Sequence, residues 1–120
     1  MTSLKASSCT QGPTTLCLDG RFQIEVRWVD FQGGSGDGQA ETMTRDTGSF
    51  WFFDQENVEL VVKVLDARGV NGHYWVFYGA LSDVEYQLTV TDTATGLTRT
   101  YDNPAGTFAS VGDTSALPGD

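Results

Sequence analysis

The sequence predicts an all-β fold, a two-sheet antiparallel β-sandwich of immunoglobulin-like or jelly-roll type with seven to eight strands. Three observations predict it. From Gly48 to Gly79, blocks rich in aromatic and β-branched residues are separated by polar, glycine-containing turns. From Arg21 to Trp28 the chain alternates strictly, with Phe22, Ile24, Val26 and Trp28 on one face and Arg21, Gln23, Glu25 and Arg27 on the other. No segment keeps a helical period for more than a turn, and short strands at this spacing favour packed sheets over a closed barrel.

The elements follow in order. Arg21 to Trp28 reads as a half-exposed strand with Trp28 in the core. Gln32 to Gln39, QGGSGDGQ, has four glycines in eight positions and reads as a mobile loop. A short strand is expected over Ala40 to Thr44, then a turn. Ser49 to Phe53 places Phe50 and Phe52 on one face and Trp51 and Phe53 on the other, so both faces are apolar. Glu59 to Leu65 reads as a central strand and Asp66 to Gly72 as a turn. His73 to Leu81 is two-sided again, with His73, Trp75 and Phe77 opposite Tyr74, Val76 and Tyr78. Val84 to Val90 alternates, TDTATG turns the chain, and Leu97 to Tyr101 returns as its hairpin partner. Thr107 to Val111 is left as an edge strand. Residues 1–19 are expected to form a leader, 20–112 the sandwich and 113–120 a tail.

At 120 residues the chain fits one domain. Sixteen acidic against seven basic residues give a formal net charge of −9, which repels phosphate backbones and anionic membrane surfaces. Nucleic-acid and membrane partners are therefore not expected. No apolar run approaches the roughly 20 residues needed to cross a bilayer, and the opening MTSLKASS lacks the regions of a signal peptide. Cys9 and Cys17 flank Gly12 and Pro13 in a Ser/Thr-rich opening, so a small local disulfide is expected. With only two lysines, Lys5 and Lys63, and much Thr, Gly and Asp, the composition fits a secreted protein whose signal has been removed.

No motif names a reaction. The single histidine, His73, starts a strand and is expected to bond to a turn; catalysis would also need a nucleophile and an orienting acid beside it. Acidic turns offer a candidate calcium site, because Ca²⁺ takes six to eight hard oxygens. Asp54, Glu56 and Asn57 are the tightest group, with Asp30, Asp37 or Asp66 as further donors, although the same residues are ordinary turn formers. Trp51, Phe53, Tyr74 and Tyr78 are the candidate ligand-binding rings, whose alternative is core filling. Lys63 inside VVKVL is expected to form an ion pair with a Glu on a neighbouring strand, with an isopeptide bond to Asn103 assisted by Glu85 as the rarer outcome.

The strings LCLDGRFQIEVRW, GSFWFFDQENVELVVKVLD, NGHYWVFYGALSDVEYQLTVTDTATG and YDNPAG resemble a small β-rich module that recurs in secreted and cell-surface bacterial proteins. The resemblance spans about Cys9 to Thr114. It implies an accessory extracellular domain and transfers no catalytic residue.

The expectation is thus a non-enzymatic recognition or adhesion module with a protein or glycan ligand at the cell exterior. Its rivals are a peptidase inhibitor using Gln32 to Gln39 or Ala67 to Gly72, a carbohydrate-binding module using the rings, and a self-assembling subunit pairing through Thr107 to Val111.

Overall fold

A computed structural model describes residues 8–119. The first seven residues of the expected leader, Lys5 among them, and Asp120 of the expected tail lie outside the described residues.

Ten strands form two five-stranded antiparallel sheets packed as a sandwich: β1 (Leu16–Leu18), β2 (Phe22–Val29), β3 (Ser35–Asp37), β4 (Gln39–Thr44), β5 (Thr47–Trp51), β6 (Val58–Ala67), β7 (His73–Ala80), β8 (Glu85–Asp92), β9 (Thr98–Asn103) and β10 (Ser110–Pro118). One helical turn, α1 (Arg68–Asn71), joins β6 to β7. The first sheet runs β1-β2-β8-β9, with β3 also pairing β2; the second runs β10-β7-β6-β5-β4.

Alternation sets what each sheet buries. Phe22, Ile24 and Val26 of β2 and Tyr86, Leu88 and Val90 of β8 face Phe50, Leu60, Val62, Val64 and Val76 across the sandwich, all buried. Trp28 lies on the same side as Val26, half-buried, and stacks on Phe52 with ring centres 6.4 Å apart.

Two strands were not expected, and each has a physical cause. β1 falls in the expected leader. The disulfide joins Cys9 to Cys17, Cys9 N–H donates to Gly20 O at 3.0 Å, and Leu16 and Leu18 are wholly buried against the sheets. The leader is therefore part of the sandwich from β1 onward.

β3 falls in the glycine-rich segment expected to be a mobile loop. Ser35–Asp37 instead pairs with Arg27, Trp28 and Val29 of β2. The glycines make room: a Cβ on Gly36 would stand 2.6 Å from Trp28 Cζ2, and one on Gly38 would stand 3.1–3.3 Å from Phe50, Val26 and Phe52, where the chain steps from one sheet to the other.

The tail is also corrected. β10 continues to Pro118, with a register shift between Asp113 and Leu117, and buries Ala116 and Leu117. Thr107 to Ala109 belongs to the preceding loop, so the edge strand starts at Ser110.

The facing of β7 is reversed from the expectation for Tyr74 and Tyr78. Both are buried, while Trp75 and Phe77 stand on the outer face of the second sheet. Register fixes this, because Tyr78 and Val76 pair with the core residues Val62 and Val64 of β6. The Tyr74 hydroxyl tolerates burial by accepting a hydrogen bond from Arg21 Nη1 at 3.0 Å.

Candidate functional site

Connectivity gathers four loops at one end of the sandwich. β2, β5, β7 and β9 end there and β3, β6, β8 and β10 begin there, so the connections are 30–34, 52–57, 81–84 and 104–109. Backbone bonds tie 81–84 to 104–109 and to the flanking strands: Gly106 N–H donates to Asp83 O at 2.8 Å, Leu81 N–H to Glu59 O of β6 at 2.8 Å, and Ala80 N–H of β7 to Ala109 O at 2.8 Å.

Each loop exposes one large apolar side chain. Phe31 is 65% exposed, Phe53 51%, Leu81 61% and Phe108 66%. Single exposed apolar residues are ordinary on protein surfaces; here one stands on each of four loops at the same end. Val70, Leu97 and Met43 are the exposed apolar groups toward the other end.

The loops are held in shape. Asp30 Oδ1 accepts from the N–H groups of Gln32 and Gly34 at 2.9 and 2.8 Å, and Gly33 adopts a positive φ of 87°. Phe53 rests edge-on against Trp28 with ring centres 4.8 Å apart. Asn103, 1% exposed, sits beneath two loops; its Nδ2 donates to Val84 O at 3.1 Å and Thr107 O at 2.8 Å. From the sequence, Asn103 is expected only as an isopeptide partner. The isopeptide arrangement is absent, since Lys63 lies on the outer face of the second sheet with its Nζ 3.8 Å from Asp46 Oδ2.

Among the described residues, four buried side-chain polar atoms have no hydrogen-bond partner, and all lie at this end: Trp28 Nε1, Ser82 Oγ, Tyr86 OH and Asn103 Oδ1. Trp28, Tyr86 and Asn103 are register partners across β2, β8 and β9. Burial pushes the Tyr86 phenol well above its ordinary value, so it stays protonated.

Asp54, Glu56 and Asn57 do share one of these loops. The oxygens of Asp54 serve the turn itself: its Oδ1 accepts from Glu56 N–H at 2.9 Å and its backbone O from Asn57 N–H at 2.9 Å. Asn57 Nδ2 donates to Glu59 Oε2 at 3.0 Å. Among the described residues, no group of three or more His, Cys, Asp or Glu side chains could hold a metal ion. His73 donates from Nδ1 to Asn71 O at 3.0 Å, while Asn71 Oδ1 accepts from Trp75 Nε1 at 2.9 Å.

No family model, curated protein or solved structure matches the chain. The site is therefore read from its own geometry.

Of the four rings expected to bind ligand, the structure separates two from two. Tyr74 and Tyr78 belong to the core. Phe53 is a loop tip, and Trp51 lies partly exposed on the second sheet, donating from Nε1 to Glu41 Oε2 at 3.3 Å. The rings on that outer face which the sequence reading did not choose are Trp75 and Phe77, 6.2 Å apart. Beside Phe77, an open groove of about 650 Å³ runs over Gly79 and Gly112 between Val61, Lys63 and Val111.

No helix among the described residues is long and apolar enough to cross a membrane.

Proposed function

We propose that this protein is a non-catalytic extracellular recognition module that engages a partner protein through the four loop tips. The observation that carries this reading is the placement of Phe31, Phe53, Leu81 and Phe108 on four loops at one end of the sandwich. Aromatic and aliphatic anchors held in a fixed shape supply contact area with little ordering cost, as recognition loops on sandwiches do. The Cys9–Cys17 disulfide supports an oxidising, extracellular setting.

A second reading, carbohydrate binding, draws on the outer face of the second sheet, where Phe77 borders the groove and Trp75 stands 6.2 Å from Phe77. Flat rings suit sugar faces, and the groove volume lies in the range of roughly 300–1,000 Å³ usual for ligand clefts.

Binding of the protein to arrays of extracellular proteins and glycans separates the two. The first reading expects protein hits that Phe31→Ser with Phe108→Ser abolishes and Trp75→Ala spares. Glycan hits lost on Trp75→Ala or Phe77→Ala, and kept in the loop variant, would replace it with the second.

A further inference from the structure

We infer that the surface these loops engage is cationic, a protein segment presenting Lys or Arg beside apolar side chains. This rests on the reading of the loop tips as the contact surface and adds the chemistry of the partner.

The four loops contain Asp30, Asp54, Glu56 and Asp83 and no Lys or Arg. Three of the four apolar tips have a carboxylate one or two positions away: Asp30 beside Phe31, Asp54 beside Phe53, and Asp83 two residues after Leu81. None of these four carboxylates forms an ion pair with a described residue. The other end is different, for there the acids are neutralised in place. Arg21 pairs with Asp92 at 2.7 Å, Arg45 with Asp19 at 2.9 Å, Lys63 with Asp46 at 3.8 Å and Arg68 with Asp66 at 2.8 Å.

No cation thus lies within the four loops; Arg27, on β2 before the first of them, is already paired with Asp37 at 3.2 Å, and three of the apolar tips keep an uncompensated carboxylate close by in the chain. Asp30 and Asp54 accept backbone hydrogen bonds, which fix the position of each carboxylate and leave its charge. A partner docking on Phe31, Phe53, Leu81 and Phe108 brings its own rim against these carboxylates. Opposite charge there speeds encounter and selects the partner, whereas an acidic rim is repelled. A lipid surface fits less well. Anionic headgroups meet the same repulsion, and insertion into a neutral bilayer would carry unpaired carboxylates toward hydrocarbon.

The experiment titrates the ¹⁵N-labelled protein with a 12-residue amphipathic Lys/Leu peptide, its Glu/Leu counterpart, a Ser/Leu control and phosphatidylcholine vesicles. The Lys/Leu peptide is expected to shift amides in loops 30–34, 52–57, 81–84 and 104–109 and to bind at least about 5-fold more tightly than the Ser/Leu control. Its affinity should fall on raising salt from about 50 to 300 mM. Asp54→Asn, Glu56→Gln and Asp83→Asn together keep the turn acceptor and should remove that preference. Phe31→Ser with Phe108→Ser should weaken all peptide binding about 10-fold with the unfolding midpoint unchanged. If the Ser/Leu and Glu/Leu peptides bind the loops as well as Lys/Leu, the cationic partner is ruled out while the loop surface stands. If no peptide moves the loop amides, or only vesicles do, both fail.

Discussion

Arg21 holds Asp92 at two points, Nε to Oδ1 at 2.7 Å and Nη2 to Oδ2 at 2.8 Å, and its remaining Nη1 donates to the Tyr74 hydroxyl across the sandwich. The guanidinium also lies over the Tyr74 ring, 4.8 Å from its centre. One side chain therefore neutralises a carboxylate that is 1% exposed and joins the first sheet to the second. Arg21→Ala strands that carboxylate and is expected to cost about 2–3 kcal/mol in urea unfolding. A cost under about 0.5 kcal/mol would show that the clasp carries no load.

The same pair sets an acid limit. Burial pushes the Asp92 carboxyl up, but the hydrogen bond from Arg21, the Ala94 N–H, the charge of Arg21 and the Thr95 hydroxyl together leave it below the ordinary value. A carboxylate held low in the fold contributes stability that is complete above its unfolded value near about 3.9 and is lost as pH falls through the lower folded value. Wild type should lose stability steeply below about pH 4, and Asp92→Asn should flatten that fall. Identical slopes for the two proteins would refute the assignment.

Gly36→Ala should cost about 1–3 kcal/mol, because the new methyl meets the rigid Trp28 indole at 2.6 Å and the ring must tilt. A shift in Trp fluorescence should accompany the lower unfolding midpoint. An unchanged midpoint would show that β3 yields in place of the ring.

Asn103→Ala leaves the Val84 and Thr107 carbonyls without their shared donor. The expected cost is about 2 kcal/mol, with faster amide exchange in loops 81–84 and 104–109 and little change near Asp92. Uniform exchange across the molecule would argue against a local role for Asn103 in shaping the loops.

Tyr86→Phe removes a buried hydroxyl that has no hydrogen-bond partner. Stability should be unchanged or higher by up to about 1 kcal/mol, since nothing is left unpaired. A loss above 1 kcal/mol in the same unfolding assay would reveal a bond to that oxygen.

The sequence by itself determined that the chain is strands, how most of them run and which residues of β2 and β8 face inward. Strict alternation forces this, because a period of two allows only one choice of buried face when one side is polar, as with Gln23, Glu25 and Arg27 opposite Phe22, Ile24 and Val26. The local disulfide was legible for a related reason, in that two nearby cysteines on either side of a turn need no long-range information.

Where both faces are apolar the rule loses its grip. In β7 nothing local separates Tyr74 and Tyr78 from Trp75 and Phe77; the register with Val62 and Val64 of β6 decides which pair is buried. Composition misled at QGGSGDGQ, since two of the glycines that suggest a loop, Gly36 and Gly38, make room for the rings of Trp28, Phe50 and Phe52. The candidate site was illegible for the same reason. Of the four tips only Phe53 stands out in the sequence, at the end of an aromatic run; Phe31, Leu81 and Phe108 fall in turns up to 77 positions apart, and only the strand order of the two sheets brings all four to one end.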